Sequence, residues 1–198
     1  MEKTIAFFDF DGTITRKDTM LELIKFSKGK KNYVKGLARL SPWMIAMKTG
    51  LISNTLAKEK MLSLFFNGIS LSEFNSICKS FSEQKLPGLI RTDAMEAIEI
   101  HKKKGHEIVV VSASAENWIR DWCDKMEIQF LATRLVDENN IITGKLNGAN
   151  CNGQEKVKRI KEDFDLSAYS SIYCYGDTKG DTLMLSIATH PFYRYFTK

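Results

Sequence analysis

The chain has 198 residues, 43% hydrophobic and 27% charged, with a formal net charge of +5. That balance is ordinary for a globular protein and can bury a core without disulfides or a structural metal. No run approaches the roughly 20 apolar residues of a membrane-spanning helix.

Residues 3–10 (KTIAFFDF) are nearly continuously apolar, the pattern of a strand buried on both faces. Residues 15–85 then show helical periodicity and no convincing strand. Within them Ser41 followed by Pro42 reads as an N-cap and a first helical position, so one helix should end near Leu40 and another begin. Leu56, Met61, Leu62, Phe65 and Phe66 suggest a further helix. Ser70 to Glu73 (SLSE) is a capping box, and Leu71, Phe74, Ile77, Cys78 and Phe81 follow along one helix face. From residue 86 the pattern changes. A helix over 89–104 should stop at Gly105, a good C′ residue, and lead into a strand over 107–111 (EIVVV). Next come a helix over 115–126, a strand over 128–133 and a hairpin over 134–148 that turns at 137–140. Helices over 154–163 and 181–188, a strand over 171–175 (SIYCY) and an edge strand over 192–196 complete the pattern. Strand–helix alternation predicts the α/β class, a Rossmann-like parallel sheet covered by helices. The expected core is residues 1–14 and 86–198, with an all-helical cap over 15–85 inserted in it.

Cys78, Cys123, Cys151 and Cys174 show neither CxxC pairing nor zinc-ligand spacing, so free thiols in a reducing compartment are expected. The first eleven residues carry acids within their apolar stretch and lack signal-peptide architecture, which adds the expectation of a soluble, cytoplasmic protein. The net charge reads as spread along the chain. Only Lys28, Lys30 and Lys31 and the run 102–104 look clustered, both as solvated helix ends. Basic residues are not interleaved with aromatics on one face, so no nucleic-acid partner is expected.

Open parallel sheets bind ligands at the carboxyl ends of their strands. There the first strand ends in Asp9, Phe10, Asp11, Gly12 and Thr13, the EIVVV strand in Ser112, and the SIYCY strand in Gly176 and Asp177, with Asp181 opening the next helix. Two acids beside a buried strand end are costly without a cation or donors, and four converging carboxylates suit a hard cation such as Mg²⁺. Taken singly, Asp177 and Asp181 also fit a turn and a helix N-terminus. Ser112 fits either phosphate binding at a helix start or plain N-capping. Lys156 has nearby rivals in Lys158 and Lys161.

Taken together, DFDGT at 9–13, Ser112 after a strand, Lys156 in GQEKVKRI and Asp177 and Asp181 in GDTKGD resemble the four ordered motifs of the haloacid dehalogenase superfamily of phosphohydrolases. The insertion point after the first motif and the stretch from Pro87 through VVVSAS look like its phosphoserine phosphatase-like branch, of subfamily IB type. The resemblance implies a Mg²⁺-dependent phosphomonoesterase. Asp9 would be the nucleophile and form an aspartyl-phosphate. Mg²⁺ would bind the Asp9 carboxylate, the Asp11 carbonyl and Asp177, with Asp181 acting directly or through water. Asp11 would serve as acid and then base, Ser112 would hold a phosphoryl oxygen, and Lys156 would neutralise charge. A halide leaves without a proton, so Asp11 favours phosphoryl chemistry over dehalogenation.

For the substrate, a small phosphorylated metabolite such as a phosphoserine-like compound is the leading expectation. Asp18 stands where phosphoserine phosphatases carry a glutamate that contacts the substrate amino group, and it equally fits an N-cap. Arg16 could meet a carboxylate or a second phosphate. Residues 37–52, with Trp43, Met44, Ile45 and Met47 near Lys35, Arg39 and Lys48, are expected to be buried cap core. The alternative is a membrane interface serving a lipid-phosphate phosphatase of phosphatidylglycerophosphate type. A catalytically silent binding or scaffold module is the reading from another class, and the intact set of acids, serine and lysine counts against it.

Overall fold

The computed structural model describes residues 3–196, so positions 1, 2, 197 and 198 of the expected core boundaries lie outside the described residues. Seven strands form: β1 (Thr4–Phe8), β2 (Glu107–Ala115), β3 (Gln129–Thr133), β4 (Leu135–Glu138), β5 (Ile141–Leu146), β6 (Ser171–Gly176) and β7 (His190–Tyr193). The helices are α1 (Thr19–Lys48), α2 (Asn54–Phe66), α3 (Leu71–Gln84), α4 (Thr92–Lys103), α5 (Glu116–Lys125), α6 (Gln154–Asp163) and α7 (Thr182–Ser186). Five strands make a parallel sheet in the order β3-β2-β1-β6-β7. The chain winds away from β1 in both directions, which places the ligand crevice at the carboxyl end of β1.

Strand periodicity divides the sheet's apolar residues between two layers. Ile5 and Phe7 of β1 join Val109, Val111, Cys174, Ile160 and Met184 on the face covered by α6 and α7. Ala6 and Phe8 point the other way, into a larger cluster with Val110, Trp118 and Tyr175. Leu23, Ile24, Leu62, Phe66, Phe74 and Phe81 of α1–α3 belong to that second cluster, so the inserted helices share a core with the sheet.

The hairpin β4–β5 turns on Asn139 and Asn140, both at positive φ (52° and 62°), as its two-residue turn requires and as asparagine tolerates. It also grips the inserted helices. Leu71 N donates to Asn140 O at 2.7 Å, Gly68 N to Ile142 O at 2.9 Å, and Ile142 N to Ile69 O at 2.9 Å. Gly144 makes this contact feasible, since a Cβ there would lie 2.3 Å from Ser63 N.

Four elements depart from expectation. Pro42 does not begin a new helix but lies inside α1. Its missing N–H leaves the Ala38 carbonyl without its backbone donor, and the Ser41 hydroxyl donates to that oxygen at 2.8 Å. The break in α1 falls at Gly29 instead (φ 74°, ψ 158°). Strand β2 runs to Ala115, with an irregular register between Ser112 and Ala115, so neither Ser112 nor Ser114 caps α5. The last strand sits at His190–Tyr193, because an edge strand with one neighbour takes its register from β6 and not from its own aromatic run. The final helix is short, a 3₁₀ turn over Lys179–Asp181 followed by α7. The capping box of α3 forms as expected, with Glu73 N donating to Ser70 Oγ at 3.1 Å.

Candidate active site

At the end of β1 the Asp9 N–H still belongs to the sheet, donating to Tyr175 O of β6 at 2.9 Å. The chain then turns sharply through Gly12 at φ 88°, where an added Cβ would sit 2.2 Å from Asp177 Oδ2. Only glycine lets this backbone pass so close to the acid of the neighbouring strand. The Thr13 hydroxyl lies between the two, 3.3 Å from Asp9 Oδ2 and 3.4 Å from Asp177 Oδ1. Asp9, Asp177 and Asp181 each offer a carboxylate oxygen within 4.8 Å of the others.

Lys156 is the lysine that α6 turns inward, 1% exposed, whereas Lys158 points out towards Glu162. Its ammonium donates to Asp9 Oδ1 at 2.5 Å and to Asp181 Oδ1 at 2.7 Å. The other Asp181 oxygen accepts from Thr178 N (3.0 Å) and Thr178 Oγ1 (2.8 Å). Burial would raise the Asp181 pKa, but Lys156 and the Thr178 donors hold it below the ordinary carboxylate value. Asp9 is different. Burial outweighs Lys156, and with Asp181 and Asp11 nearby its pKa is pushed up to about 7. Asp177 is also raised, by burial and then by Asp181.

The metal question turns on this imbalance. Asp9, Asp177 and Asp181 crowd around a single buried ammonium, and two of the three carboxylates still disfavour their charged forms. An all-oxygen donor set with surplus negative charge fits a hard divalent cation of the Mg²⁺ type. The Asp11 carboxylate is outside this group: one oxygen accepts from Thr19 N at 2.7 Å and the other from Ser114 Oγ at 2.5 Å. Both donors come from elements that meet above the strand ends, α1 and β2. Thr19 Oγ1 also lies 3.0 Å from Ser114 Oγ and accepts from Trp118 Nε1 at 3.0 Å, so the aspartate holders are themselves held.

Asp9, Asp11, Lys156 and Asp181 line the floor of a cavity of about 140 Å³, and Asp177 lies outside its wall. The cap contributes Asp18, Met20 and Lys58. A larger crevice of about 440 Å³, between α3, α5 and the hairpin, contains none of the motif residues. Ser112 is fully buried and does not line the small cavity; its Oγ accepts from Ser114 N at 3.0 Å, and Ala113 and Ser114 form that wall. Asp18 caps α1, accepting from Leu21 N at 2.9 Å, and also lines the cavity, so its two sequence readings are compatible. Confinement in the cavity and then the Asp11 charge push its pKa up to about 6, although the residue keeps solvent contact. Arg16 is exposed and takes no part in the cavity wall.

Lys58 and Asn152 are among the cavity residues that the sequence did not announce. Lys58 reaches in from α2, donating to Ala113 O at 2.6 Å and Asn150 Oδ1 at 3.0 Å, and burial lowers its pKa despite Asp11 and Asp18. Asn152 precedes α6 and packs closely on Gly180. Neither stands in a sequence motif. For Lys58 the available signal was its isolation, as the last cation of a long stretch without acids.

A family model described as haloacid dehalogenase-like hydrolase matches residues 6–186. Protein CicA of Caulobacter vibrioides is 33% identical over 197 residues, covering 98% of this chain and 87% of that protein. A protein of Mycobacterium tuberculosis named probable phosphatase is 27% identical over 194 residues, covering 95% and 67%. Among solved structures, a Bordetella pertussis protein of unknown function superposes with a TM-score of 0.83 at 19% identity, covering 96% of this chain and 88% of that one. A phosphoserine phosphatase solved as a phospho-aspartyl intermediate analogue gives a TM-score of 0.63 at 22% identity, covering 95% and 84%. At these identities the structural likenesses establish the fold alone.

Proposed function

The chain belongs to the haloacid dehalogenase-like hydrolase family; from this premise we propose that it is a phosphatase that hydrolyses small phosphate monoesters through an aspartyl-phosphate on Asp9, with Mg²⁺ as cofactor. The observation that carries this reading is the pairing of Asp9 with Lys156 at 2.5 Å, beside Asp177 and Asp181 and within one cavity that also holds the Asp11 carboxylate.

In the first step a carboxylate oxygen of Asp9 attacks phosphorus, and the bond from phosphorus to the ester oxygen breaks. Asp11, held in place by Thr19 and Ser114, gives its proton to that leaving oxygen. In the second step a water oxygen attacks phosphorus while Asp11 takes the water proton. The phosphorus–Asp9 bond breaks, which frees inorganic phosphate and restores the carboxylate. Lys156 stays charged throughout, since its two carboxylate partners raise its pKa against the effect of burial. It therefore offsets negative charge on the transferring group. Mg²⁺, held by Asp9 and Asp177 with Asp181 nearby, would supply further charge neutralisation and polarise the phosphoryl oxygens.

The cavity volume of about 140 Å³ suits a phosphoryl group with a small attachment. Asp18 and Lys58, of opposite sign on the cap side, favour a substrate that carries both an amino group and an anionic group. Turnover of p-nitrophenyl phosphate with Mg²⁺ tests the reading. EDTA should abolish it and added Mg²⁺ restore it, and Asp9→Asn should lower kcat by roughly 10³-fold or more with the fold retained. Wild-type turnover by that variant would overturn the assignment of the nucleophile, and full activity in EDTA would overturn that of the metal.

A further inference from the structure

The chain's positive charge is not evenly distributed. Residues 23–58 contain eight Lys and Arg residues and no Asp or Glu, whereas all other positions together carry a net charge of −3. The whole excess of cations therefore belongs to the cap, contrary to the first impression of a spread charge. Lys30, Lys31, Lys35, Arg39 and Lys48 are exposed on α1, and none of the five enters an ion pair among the described residues.

The same stretch concentrates exposed apolar side chains. Val34 (54%), Trp43 (39%), Ile45 (62%) and Leu51 (80%) are four of the nine large exposed apolar residues described, all within residues 34–51. Helical spacing puts Val34, Ala38 and Ile45 on one outward stripe, flanked by Lys31, Lys35 and Lys48. Leu40 and Gly36 face inward and are buried, while Leu37, Met44 and Met47 are half-buried. The expected cap core is thus only the inner side of this helix.

We propose that this outward face of α1, with Leu51 beyond its end, docks on the surface of an anionic lipid bilayer. A nucleic-acid backbone would satisfy the cations but leave Ile45 and Leu51 in water. A bilayer takes both, since headgroups pair with lysines while the apolar tips enter the acyl boundary. Trp43 is not part of this face: it lies on the opposite side of α1, its ring 4.7 Å from Lys60 Nζ of α2. Nothing in this inference depends on the catalytic assignment.

Vesicle flotation tests it. The full chain should float at low salt with vesicles of phosphatidylserine and phosphatidylcholine in equal parts, and should not float with phosphatidylcholine alone. Lys31→Glu with Lys35→Glu, and separately Ile45→Asp with Leu51→Asp, should each weaken binding by roughly tenfold or more. Both double variants should keep wild-type turnover of p-nitrophenyl phosphate. Absence of flotation with the anionic vesicles overturns the proposal, as does flotation that neither pair of substitutions weakens. A concentration-dependent dimer that Ile45→Asp dissolves would assign the face to a second copy of the chain, and would also overturn it.

Discussion

The mouth of the sheet and the outer face of the cap carry opposite charges in opposite settings. At the mouth, acids are buried around one ammonium, each fixed by hydrogen bonds to a neighbour. On the cap, lysines stand in solvent beside exposed apolar side chains, with no acid near them in sequence. The first arrangement is costly and depends on its single ammonium and its hydrogen-bond donors. The second costs the fold little. Chemistry and its energetic cost are therefore concentrated at the strand ends, while the cap's outer surface remains free to meet something else.

Substitutions should separate the two regions sharply. Lys156→Met strikes at the most dependent contact. Removing the ammonium leaves Asp9 and Asp181 buried without it, which should cost about 3–5 kcal/mol of stability, and turnover should fall by roughly 10²-fold or more. Thermal melts should show a larger loss in EDTA than in Mg²⁺, because a bound cation takes over part of the compensation. Equal losses in both would mean that no metal shares the site.

A smaller effect is expected deeper in the core, where α4 meets the sheet. His101 is 4% exposed; its Nε2 lies 3.1 Å from Tyr175 Oη, and its Nδ1 2.8 Å from His106 Nδ1. Burial, then the charges of His106 and Lys104, lower its pKa from 6.5 to about 4. Between those two values the unfolded chain binds the proton and the native protein does not, so stability rises with pH. The contribution is complete above pH 6.5 and is lost as pH falls towards 4, a change of up to about 3 kcal/mol. Denaturant titrations across that window should show the slope, and His101→Gln should flatten it. An unchanged slope in the variant would place the acid sensitivity elsewhere.

The smallest effect belongs to the cap. Lys31→Glu with Lys35→Glu should change stability by no more than about 0.5 kcal/mol, as exposed surface positions do. A large loss there would show that the cap's charges are structural and would blur the contrast between the regions.

The sequence disclosed the site's floor better than its walls. Asp9, Asp177 and Asp181 were legible because each follows a strongly apolar strand, and strand ends converge in a parallel sheet. Lys156 followed from motif order, and its burial then distinguished it from Lys158. Ser114 and Lys58 were not legible, because their roles depend on contacts 103 and 55 residues away along the chain. The fold class and most elements were readable from apolar periodicity. The continuity of α1 through Pro42 was not, since it relies on the Ser41 hydroxyl to supply the bond that proline cannot. The concentration of charge in the cap was visible in the sequence but emerges only when cations and acids are counted together over a long window.

The account depends most on phosphorus becoming bonded to Asp9, and the Asp11→Asn variant gives the most direct view of that event. p-Nitrophenolate leaves without needing a proton, so this variant should still be phosphorylated by p-nitrophenyl phosphate while its second step stalls. Rapid mixing should show a burst of about one nitrophenolate per active site, and mass spectrometry after acid quench should place the phosphoryl group on Asp9. Steady release without a burst, or a phosphoryl group found on any other residue, would contradict the account.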